Sequence, residues 1–210
     1  MNILVLGATG ATGKLFVSQT LVAGHEVTAY VRNRGKISLR PNLAVVSGQV
    51  DDPDALASAL VGHDAVVSML GNSHDKANKT LIDDSSRVLI RAAQAGGVER
   101  LVIMSAFGVG ESLAKSSWLA RLVYTRFSAG MFADKARGEA QLKSTDLDWT
   151  IVYPVTLTDK TTTNTTASRL EVTPHLRGIP KISRSEVAGF LLKITVDGSF
   201  KRQTIVLRPV

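Results

Sequence analysis

The glycines near the N terminus, in the segment LGATGATGK (residues 6–14), are suited to holding a phosphate group. Two kinds of site combine glycines and a lysine ahead of a helix: the loop that cradles a nucleoside triphosphate, and the turn that receives the pyrophosphate of a dinucleotide. The triphosphate loop reads G-x-x-x-x-G-K-[ST]. When this pattern is aligned on Gly13 and Lys14, Ala8 replaces its first glycine and Leu15 replaces its hydroxyl residue. Because two defining positions fail, the triphosphate loop is excluded.

The spacing of the glycines matches the dinucleotide turn instead. The apolar segment Asn2–Leu6 predicts a strand before them, and Thr12–Ala23 predicts a helix after them. In such a turn the first glycine permits the tight bend, the second lets the backbone approach the pyrophosphate, and the third lets helix and strand pack closely. The helix N terminus adds N–H groups for the phosphate oxygens. We therefore predict dinucleotide binding, with contacts from Gly7, Thr9, Gly10, Ala11, Thr12 and Gly13.

The end of the second predicted strand, Glu26–Arg32, selects between two cofactors. NAD sites place an acidic residue there for the ribose 2′-hydroxyl, whereas the 2′-phosphate of NADP requires a cation. The sequence reads YVRNRGK, with Arg32, Arg34 and Lys36 and no acid. An arginine binds phosphate through two parallel hydrogen bonds. We expect NADP(H) to be preferred over NAD(H), with Arg32 as the main contact.

Alternation of strands and helices predicts an α/β fold. The remaining strands are predicted at Leu43–Ser47, Asp64–Leu70, Arg100–Met104, Trp149–Tyr153 and Thr204–Leu207, and the remaining helices at Pro53–Leu60, Lys79–Ala95 and Ser185–Val196. Mostly apolar strands that alternate with helices indicate a Rossmann-like, doubly wound parallel β-sheet with helices on both faces. At 210 residues the chain is expected to be one domain, residues 1–210.

Two stretches interrupt this alternation. Ala106–Ala133 is an insertion after the fifth strand, in which Leu113–Phe127 predicts an amphipathic helix. Thr158–Arg169 is low in complexity and is predicted to be a mobile loop. We expect the insertion (residues 106–133) and the loop of residues 155–182 to form the substrate-binding side of the domain. The loop belongs to a small C-terminal region.

Composition narrows the possible partners. The 25 Lys and Arg residues against 18 Asp and Glu give a net charge of +7, but they are scattered, so we expect no nucleic-acid partner. No apolar run approaches the length of a membrane span, no signal peptide is evident, and there is no cysteine. We expect a cytoplasmic protein without a membrane partner, a monomer or small homo-oligomer. The four isolated histidines predict no metal site: His25, His63, His74 and His175.

Six segments together carry a resemblance to a known family. The chain resembles the atypical short-chain dehydrogenases/reductases, in the NAD(P)H-binding group of NmrA-like proteins and of biliverdin IXβ reductase/flavin reductase. The resemblance covers nearly the whole chain. Its segments are GATGATG (7–13), VRN (31–33), LG (70–71), SAF (105–107), DKARGEAQLKSTDLDWTIVYP (134–154) and ISRSEVAGFLL (182–192).

The resemblance implies further cofactor contacts. Ser105 stands where the family keeps a hydroxyl beside the nicotinamide, and Pro154 with Val155 would close over that ring. Relatives often carry an aspartate where this chain has Gln49, and an amide can still bind adenine. The full implied set, beyond the glycine turn and Arg32, is Gln49, Val50, Leu70, Gly71, Ser105, Ala106, Lys135, Pro154 and Val155.

The family's catalytic tyrosine is missing. Short-chain dehydrogenases commonly carry Tyr-x-x-x-Lys on a helix, and here Lys135 follows Met131. Biliverdin IXβ reductase and its flavin-reducing relatives also lack that tyrosine, and the position of their histidine is taken by Thr156. Ser105 and Lys135 remain as catalytic candidates. Ser105 is equally suited to capping the loop behind its strand, and Lys135 to contacting the cofactor or Glu139 one turn on.

The surviving chemistry favours conjugated acceptors. Reduction of a simple ketone creates an alkoxide that requires a positioned acid, whereas a flavin, quinone or linear tetrapyrrole spreads the charge. We therefore predict an NADPH-dependent reductase for FMN/FAD, a quinone or biliverdin, with substrate contacts from Phe107 and Thr156. The alternative is a non-catalytic NADP(H)-binding redox sensor or regulator of the NmrA-like type. A nucleotide-sugar epimerase or dehydratase is a third possibility.

Overall fold

One mostly parallel sheet of eight strands forms the centre of the computed structural model, which describes residues 1–71, 80–118, 121–122, 126, 129–160 and 165–210. The described strands, in chain order, are β1 (Asn2–Leu6), β2 (Glu26–Val31), β3 (Leu43–Ser47), β4 (Ala65–Ser68), β5 (Arg100–Met104), β6 (Asp148–Pro154), β7 (Thr156–Thr158), β8 (Thr165–Arg169), β9 (Lys181–Ser183) and β10 (Gln203–Pro209). The sheet order is β3-β2-β1-β4-β5-β6-β10-β8, and only β8 runs antiparallel to its neighbour. A separate parallel pair joins β7 to β9.

Two groups of helices cover the sheet. The described helices are α1 (Ala11–Val22), α2 (Pro53–Leu60), α3 (Leu81–Gly96), α4 (Ala129–Lys143) and α5 (Arg184–Val196), with short 3-10 helices at Arg34–Lys36, Gly110–Lys115 and Leu170–Val172. Helix α1 packs against α5, while α3 packs between α2 and α4. The predicted Rossmann-like α/β fold is confirmed. In the part of the chain that the structure describes, no helix has the length and apolar content needed to cross a bilayer.

The strands form where the sequence places short, continuous apolar runs. In β1 the residues after Asn2 are fully buried, and β4 beside it is buried along its whole length. Strands that are apolar on both faces fit only the interior of a sheet covered by helices on both sides. Local signals set the helix ends: Asp52 caps α2 by accepting from the Ala55 N–H (3.0 Å), and α3 ends at Gly97, whose φ is 71°.

The structure corrects two sequence predictions for the irregular segments: one is wrong, and the other is wrong only at its start. Thr165–Arg169, placed in a mobile loop, is strand β8, which pairs with β10 because β-branched threonines suit the edge of a sheet. The predicted helix Leu113–Phe127 begins later than predicted, since Gly110–Lys115 is a 3-10 helix and Ser116 is extended, whereas Trp118, Arg121, Leu122 and Arg126 are helical. Parts of both predicted segments (residues 119–120, 123–125, 127 and 161–164) lie outside the described residues.

A carboxylate from α4 caps the N terminus of α3. Asp134 is fully buried, and its two oxygens accept from the N–H groups of Ile82 (2.9 Å) and Asp83 (3.1 Å). The local N-cap residue, Thr80, gives no side-chain cap. The contact fixes α4 on α3 directly beside Lys135, and therefore links helix capping to the position of a candidate site residue.

Removing this carboxylate is expected to destabilise the fold. Asp134→Ala leaves a buried and a part-buried N–H group without an acceptor, and we expect the free energy of unfolding to fall by about 2 kcal/mol in urea titrations. The matched control is Asp84→Ala, whose side chain is half-buried and pairs with Arg87 at 3.4 Å. It should lose at most about 0.5 kcal/mol. Equal losses in the two variants would show that the capping contact is not what stabilises the helix pair.

Candidate functional site

The loops that follow the parallel strands meet at one edge of the sheet. The strand order reverses between β1 and β4, and α/β proteins bind ligands outside the carboxyl ends of the strands at such a point. The predicted cofactor residues follow successive strands: Gly7 after β1, Arg32 after β2, Gln49 after β3, Leu70 after β4, Ser105 after β5, and Pro154 with Val155 at the end of β6. The topology therefore brings these predicted residues to the same edge.

The glycine turn requires glycine at its two ends. Gly7 has a φ of 81°, and a Cβ there would lie 2.7 Å from the Met69 carbonyl oxygen. A Cβ on Gly13 would lie 2.1 Å from the Gly7 carbonyl oxygen, so this glycine allows α1 to pack against the turn. The Gly10 N–H donates to that same oxygen at 3.0 Å and closes the turn.

The start of α1 is suited to an anion. Gly10 is the N-cap, no side chain caps the described helix, and its first turn holds no acidic residue. The N–H groups at the start of a helix then remain available to phosphate oxygens, with the helix dipole favouring negative charge. Thr9 is half-buried, Ala11 is exposed and Thr12 is buried. These residues fit the pyrophosphate of a dinucleotide.

The loops after β2 and β3 form the adjoining part of the edge. Arg32 is exposed directly after β2, and the Asn33 side chain accepts from the Gly35 N–H (2.9 Å), which shapes the basic turn that follows. The Tyr30 hydroxyl donates to the backbone carbonyl of Gln49 (3.1 Å) and ties the two loops together. Burial, and secondarily the charges of Asp52 and Asp51, raise the pKa of Tyr30, so its hydroxyl remains a neutral donor. Val50 is half-buried.

A buried polar cluster lies where β5 and β6 end. The hydroxyls of Ser105 and Tyr153 donate to the two carboxyl oxygens of Glu139, which projects from α4. All three residues are nearly inaccessible, with exposed fractions of 5%, 1% and 6% for Ser105, Tyr153 and Glu139. Lys135, one turn before Glu139 and equally buried, donates to the Leu70 carbonyl at 3.4 Å. We call Ser105, Lys135, Glu139 and Tyr153 the buried cluster.

Burial dominates the proton affinities in the buried cluster. It raises the pKa of Glu139, and the hydrogen bonds from Ser105 and Tyr153 and the charges of Lys135 and Lys143 offset only part of that effect. Burial lowers the pKa of Lys135, against the attraction of Glu139 and Asp134. The pKa of Tyr153 is raised by burial and then by Glu139. Each group is therefore displaced toward its neutral form.

Sequence reasoning missed Tyr153 and the central place of Glu139. Tyr153 stands in an apolar strand that looked like ordinary core, and Glu139 was considered only as a neighbour of Lys135 along the helix. The available signal was a hydroxyl at the carboxyl end of β6, in the strand beside the one that Ser105 follows. Gly138 contributes to the contact, because a Cβ there would lie 2.5 Å from Ser86 Oγ and would push α4 away from α3.

The remaining residues that were predicted to contact cofactor or substrate differ in how deeply they are buried. Phe107 is 4% exposed and belongs to the core, and its N–H donates to the Pro154 carbonyl (3.0 Å). Its role as a substrate contact stays a prediction. Val155 is buried and bonded through its N–H to the Leu207 carbonyl (3.0 Å). Thr156, in β7, and Ala106 are half-buried, and Gly71 is exposed.

A doubly wound sheet with a glycine turn at its switch point defines a dinucleotide-binding protein. The sequence model of the family described as NAD(P)H-binding matches residues 7–197. The chain belongs to this NAD(P)H-binding family, and the family resemblance predicted from sequence is confirmed.

Several known proteins are similar to this chain. The chain is 32% identical to the chloroplastic protein At2g34460 of Arabidopsis thaliana, over 99% of this chain and 77% of that protein. It is 30% identical to the photosystem II assembly factor Ycf39 of Synechocystis, over 53% of this chain and 35% of Ycf39, so the chain spans about a third of that relative. The structure of ChuY, an anaerobilin reductase from Escherichia coli O157:H7, shares the fold with a TM-score of 0.80 and 21% identity, covering 99% of this chain and 97% of ChuY.

Proposed function

We propose that this chain is an NADPH-dependent reductase that transfers hydride to a conjugated acceptor such as a flavin, a quinone or biliverdin. The observation that carries the proposal is Met131, a thioether one turn before Lys135, where ketone-reducing relatives place a proton-donating tyrosine. An acceptor that delocalises the incoming charge needs less assistance from an acid than a ketone does. ChuY, which shares the fold, is named for the reduction of anaerobilin, and this supports the same class of acceptor.

The roles of the chain's residues follow from their positions. The glycine turn and the start of α1 would hold the pyrophosphate, and Arg32 the 2′-phosphate. Bound NADPH supplies the hydride. Ser105 would orient the reacting rings by a hydrogen bond from the end of β5, and Pro154 with Val155 would form an apolar wall beside them. Positioning of the two rings then contributes most of the rate enhancement.

The first test is oxidation of NADPH, followed by its absorbance, with FMN, riboflavin, a quinone and biliverdin offered in turn. NADH is run in parallel. We expect turnover with at least one acceptor, and a kcat/KM for NADPH at least about tenfold above that for NADH, since a charge-assisted contact to the 2′-phosphate contributes more than about 1.4 kcal/mol. Tight NADP(H) binding without turnover on any acceptor would refute the reductase.

Arg32→Ala is expected to abolish the preference for NADPH over NADH. Loss of the cation should raise the KM for NADPH by about 10- to 100-fold and leave the KM for NADH within about twofold, because NADH has no 2′-phosphate to be bound. Arg91→Ala is the matched control. Arg91 is an exposed arginine on α3, and it is distant in sequence from the loop that follows β2. A parallel rise for both cofactors would place the 2′-phosphate elsewhere.

The second candidate function is a non-catalytic NADP(H)-binding redox sensor or regulator. Met131 supports it as well, and so does the similarity of half of this chain to Ycf39, which is named as an assembly factor. The two proposals differ in one measurable property. A sensor binds NADP⁺ and NADPH with different consequences for a protein partner and oxidises NADPH no faster than buffer with every acceptor.

A further inference from the structure

The buried cluster offers a proton where the family's tyrosine is missing. Resting on the proposed reductase function, we infer that the Glu139 carboxyl stores the proton that accompanies hydride transfer and delivers it through the Ser105 hydroxyl. Hydride transfer adds two electrons and one hydrogen nucleus to the acceptor, so a complete reduction requires one further proton. Glu139 is a source of that proton within the protein.

The geometry of the carboxyl group suits the protonated form. Its oxygens contact two neutral hydroxyls, those of Ser105 and Tyr153, and the nearby Lys135 ammonium donates to the Leu70 carbonyl (3.4 Å) and forms no ion pair with Glu139 within 4 Å. A buried carboxylate without a contacting cation is strongly disfavoured, whereas a carboxylic acid can donate one hydrogen bond and accept others. Glu139 is 6% exposed, so bulk solvent does not replace the missing cation.

The groups around Glu139 define how it titrates. Lys135 and Lys143 face it from its own helix, Ser105 from the end of β5 and Tyr153 from β6, while Glu111 lies near Tyr153. The cations and hydroxyls favour the carboxylate, but burial outweighs them and raises the pKa of Glu139. The proton therefore stays on Glu139 to a higher pH than on an exposed glutamate and is lost as the pH rises further.

The relay requires one exchange of hydrogen bonds. Protonated Glu139 donates its O–H to Ser105 Oγ, and the Ser105 O–H donates to the acceptor. When hydride arrives, the Ser105 proton forms a bond to the acceptor, and the Glu139 proton moves to Ser105. Glu139 is left as a carboxylate that still accepts from Tyr153, with the positive charge of Lys135 one helical turn away. A proton from solvent restores the acid before the next turnover.

A small cavity adjoins the carboxyl group. It has a volume of about 30 Å³ and is lined in part by Glu139, Lys135 and Ser105, together with Ser85 and Ser86 of α3. This volume is sufficient for a water molecule, and the serine hydroxyls are suitable partners for one. Most of the lining is apolar, so the cavity offers Glu139 a single polar side, where one water molecule would return its proton.

The experiment combines infrared spectroscopy of the protein without cofactor and pH profiles of hydride transfer. We expect a carboxylic-acid band at neutral pH that disappears in Glu139→Gln and converts to a carboxylate band as the pH rises. Glu139→Gln keeps groups that can bond to both hydroxyls, so the fold should persist. Its hydride-transfer rate should fall about 100-fold, with no limb of the pH profile arising from residue 139 and NADPH affinity retained. Slow protonation by solvent accounts for the residual rate.

Three further variants separate relay from structure. Ser105→Ala should lose the rate but keep the infrared band, which should titrate at higher pH because the Ser105 hydrogen bond lowers the pKa of Glu139. Tyr153→Phe removes a hydrogen bond that favours the carboxylate, so both the band and the pH limb should move to higher pH. Glu26→Gln, an exposed glutamate at the start of β2, should change neither.

Three results would overturn the inference. An ionised Glu139 at neutral pH in the infrared spectrum does so whatever the kinetics show. An unchanged pH–rate profile in Glu139→Gln does so even if the band is present. Absence of turnover with every acceptor refutes the reductase and with it the delivery step, while the infrared measurement still reports separately whether the carboxyl is protonated.

Discussion

Replacement of Gly10 with alanine is expected to weaken NADP(H) binding by about 30- to 100-fold and to leave the fold unchanged. The backbone of Gly10 is extended, with φ −71° and ψ 163°, a conformation that any residue adopts. A Cβ there meets only the Gly7 carbonyl oxygen at 3.3 Å within the protein, and a shift of a few tenths of an ångström relieves that contact. The residue is exposed, so the added methyl group points into the space where the pyrophosphate approaches the backbone.

Gly13→Ala is the informative contrast to this variant. Its Cβ would lie 2.1 Å from the Gly7 carbonyl oxygen and 3.0 Å from the Ala8 Cα, both backbone atoms that cannot move without opening the turn. We expect it to lose about 3 kcal/mol or more of unfolding free energy, together with cofactor binding. Calorimetric titration with NADP⁺ and urea unfolding distinguish the variants. Wild-type affinity in Gly10→Ala would show that the pyrophosphate is not bound at this turn.

The regular part of the fold is predictable from sequence because its signals are local. The apolar run before Gly7 and the spacing of the glycines specify β1, the turn and α1, and the observed start of α1 at Ala11 lies one residue from the predicted one. Pro53 after Asp52 similarly marks the start of α2, where the carboxylate cap and proline agree. In each case the residues that decide the structure are neighbours along the chain.

The features that the sequence did not reveal depend on distant partners. The threonines of β8 form a strand only because β10 presents an edge to them, and an isolated threonine-rich segment carries no sign of that partner. The cap on α3 comes from Asp134, 52 residues away, so rules for local caps could point only to Thr80. Non-local pairing, rather than weak local propensity, explains both omissions.

The residues of the candidate site also differ in whether local sequence or distant contacts place them. Gly7, Arg32 and Ser105 could be predicted, because a family places such residues directly after particular strands. The contact of Glu139 with Ser105 and Tyr153 could not, since it requires α4 to cross the ends of β5 and β6 at close range. The contact depends on the close approach of α4 to α3 at Gly138. A glycine within a helix does not indicate from sequence which element packs against it.

The second large effect is expected at Arg100, the first residue of β5. Its Nη1 donates to Asp148 Oδ1 (3.0 Å) and Thr150 Oγ1 (2.8 Å), and its Nη2 donates to the carbonyls of Ile194 (2.7 Å) and Ser199 (2.9 Å). One buried side chain thus joins the amino ends of two strands to the C-terminal end of α5. Burial lowers the pKa of Arg100, whereas the negative charge of Asp148 raises it. The ion pair with Asp148 therefore helps the buried guanidinium to remain charged.

Arg100→Ala should lower the free energy of unfolding by about 3–5 kcal/mol, because it removes the donor to one carboxylate oxygen of Asp148 and to the two carbonyls of Ile194 and Ser199. Asp148 retains Lys201 at 3.2 Å, which keeps the expected loss from being larger. Arg202→Ala is the matched control in the same corner, since that arginine is half exposed and its partner Asp146 is fully exposed. Urea unfolding should show a large shift for the first variant and almost none for the second. Similar shifts would mean that general loss of positive charge, rather than the buried junction, decides the stability of this end of the sheet.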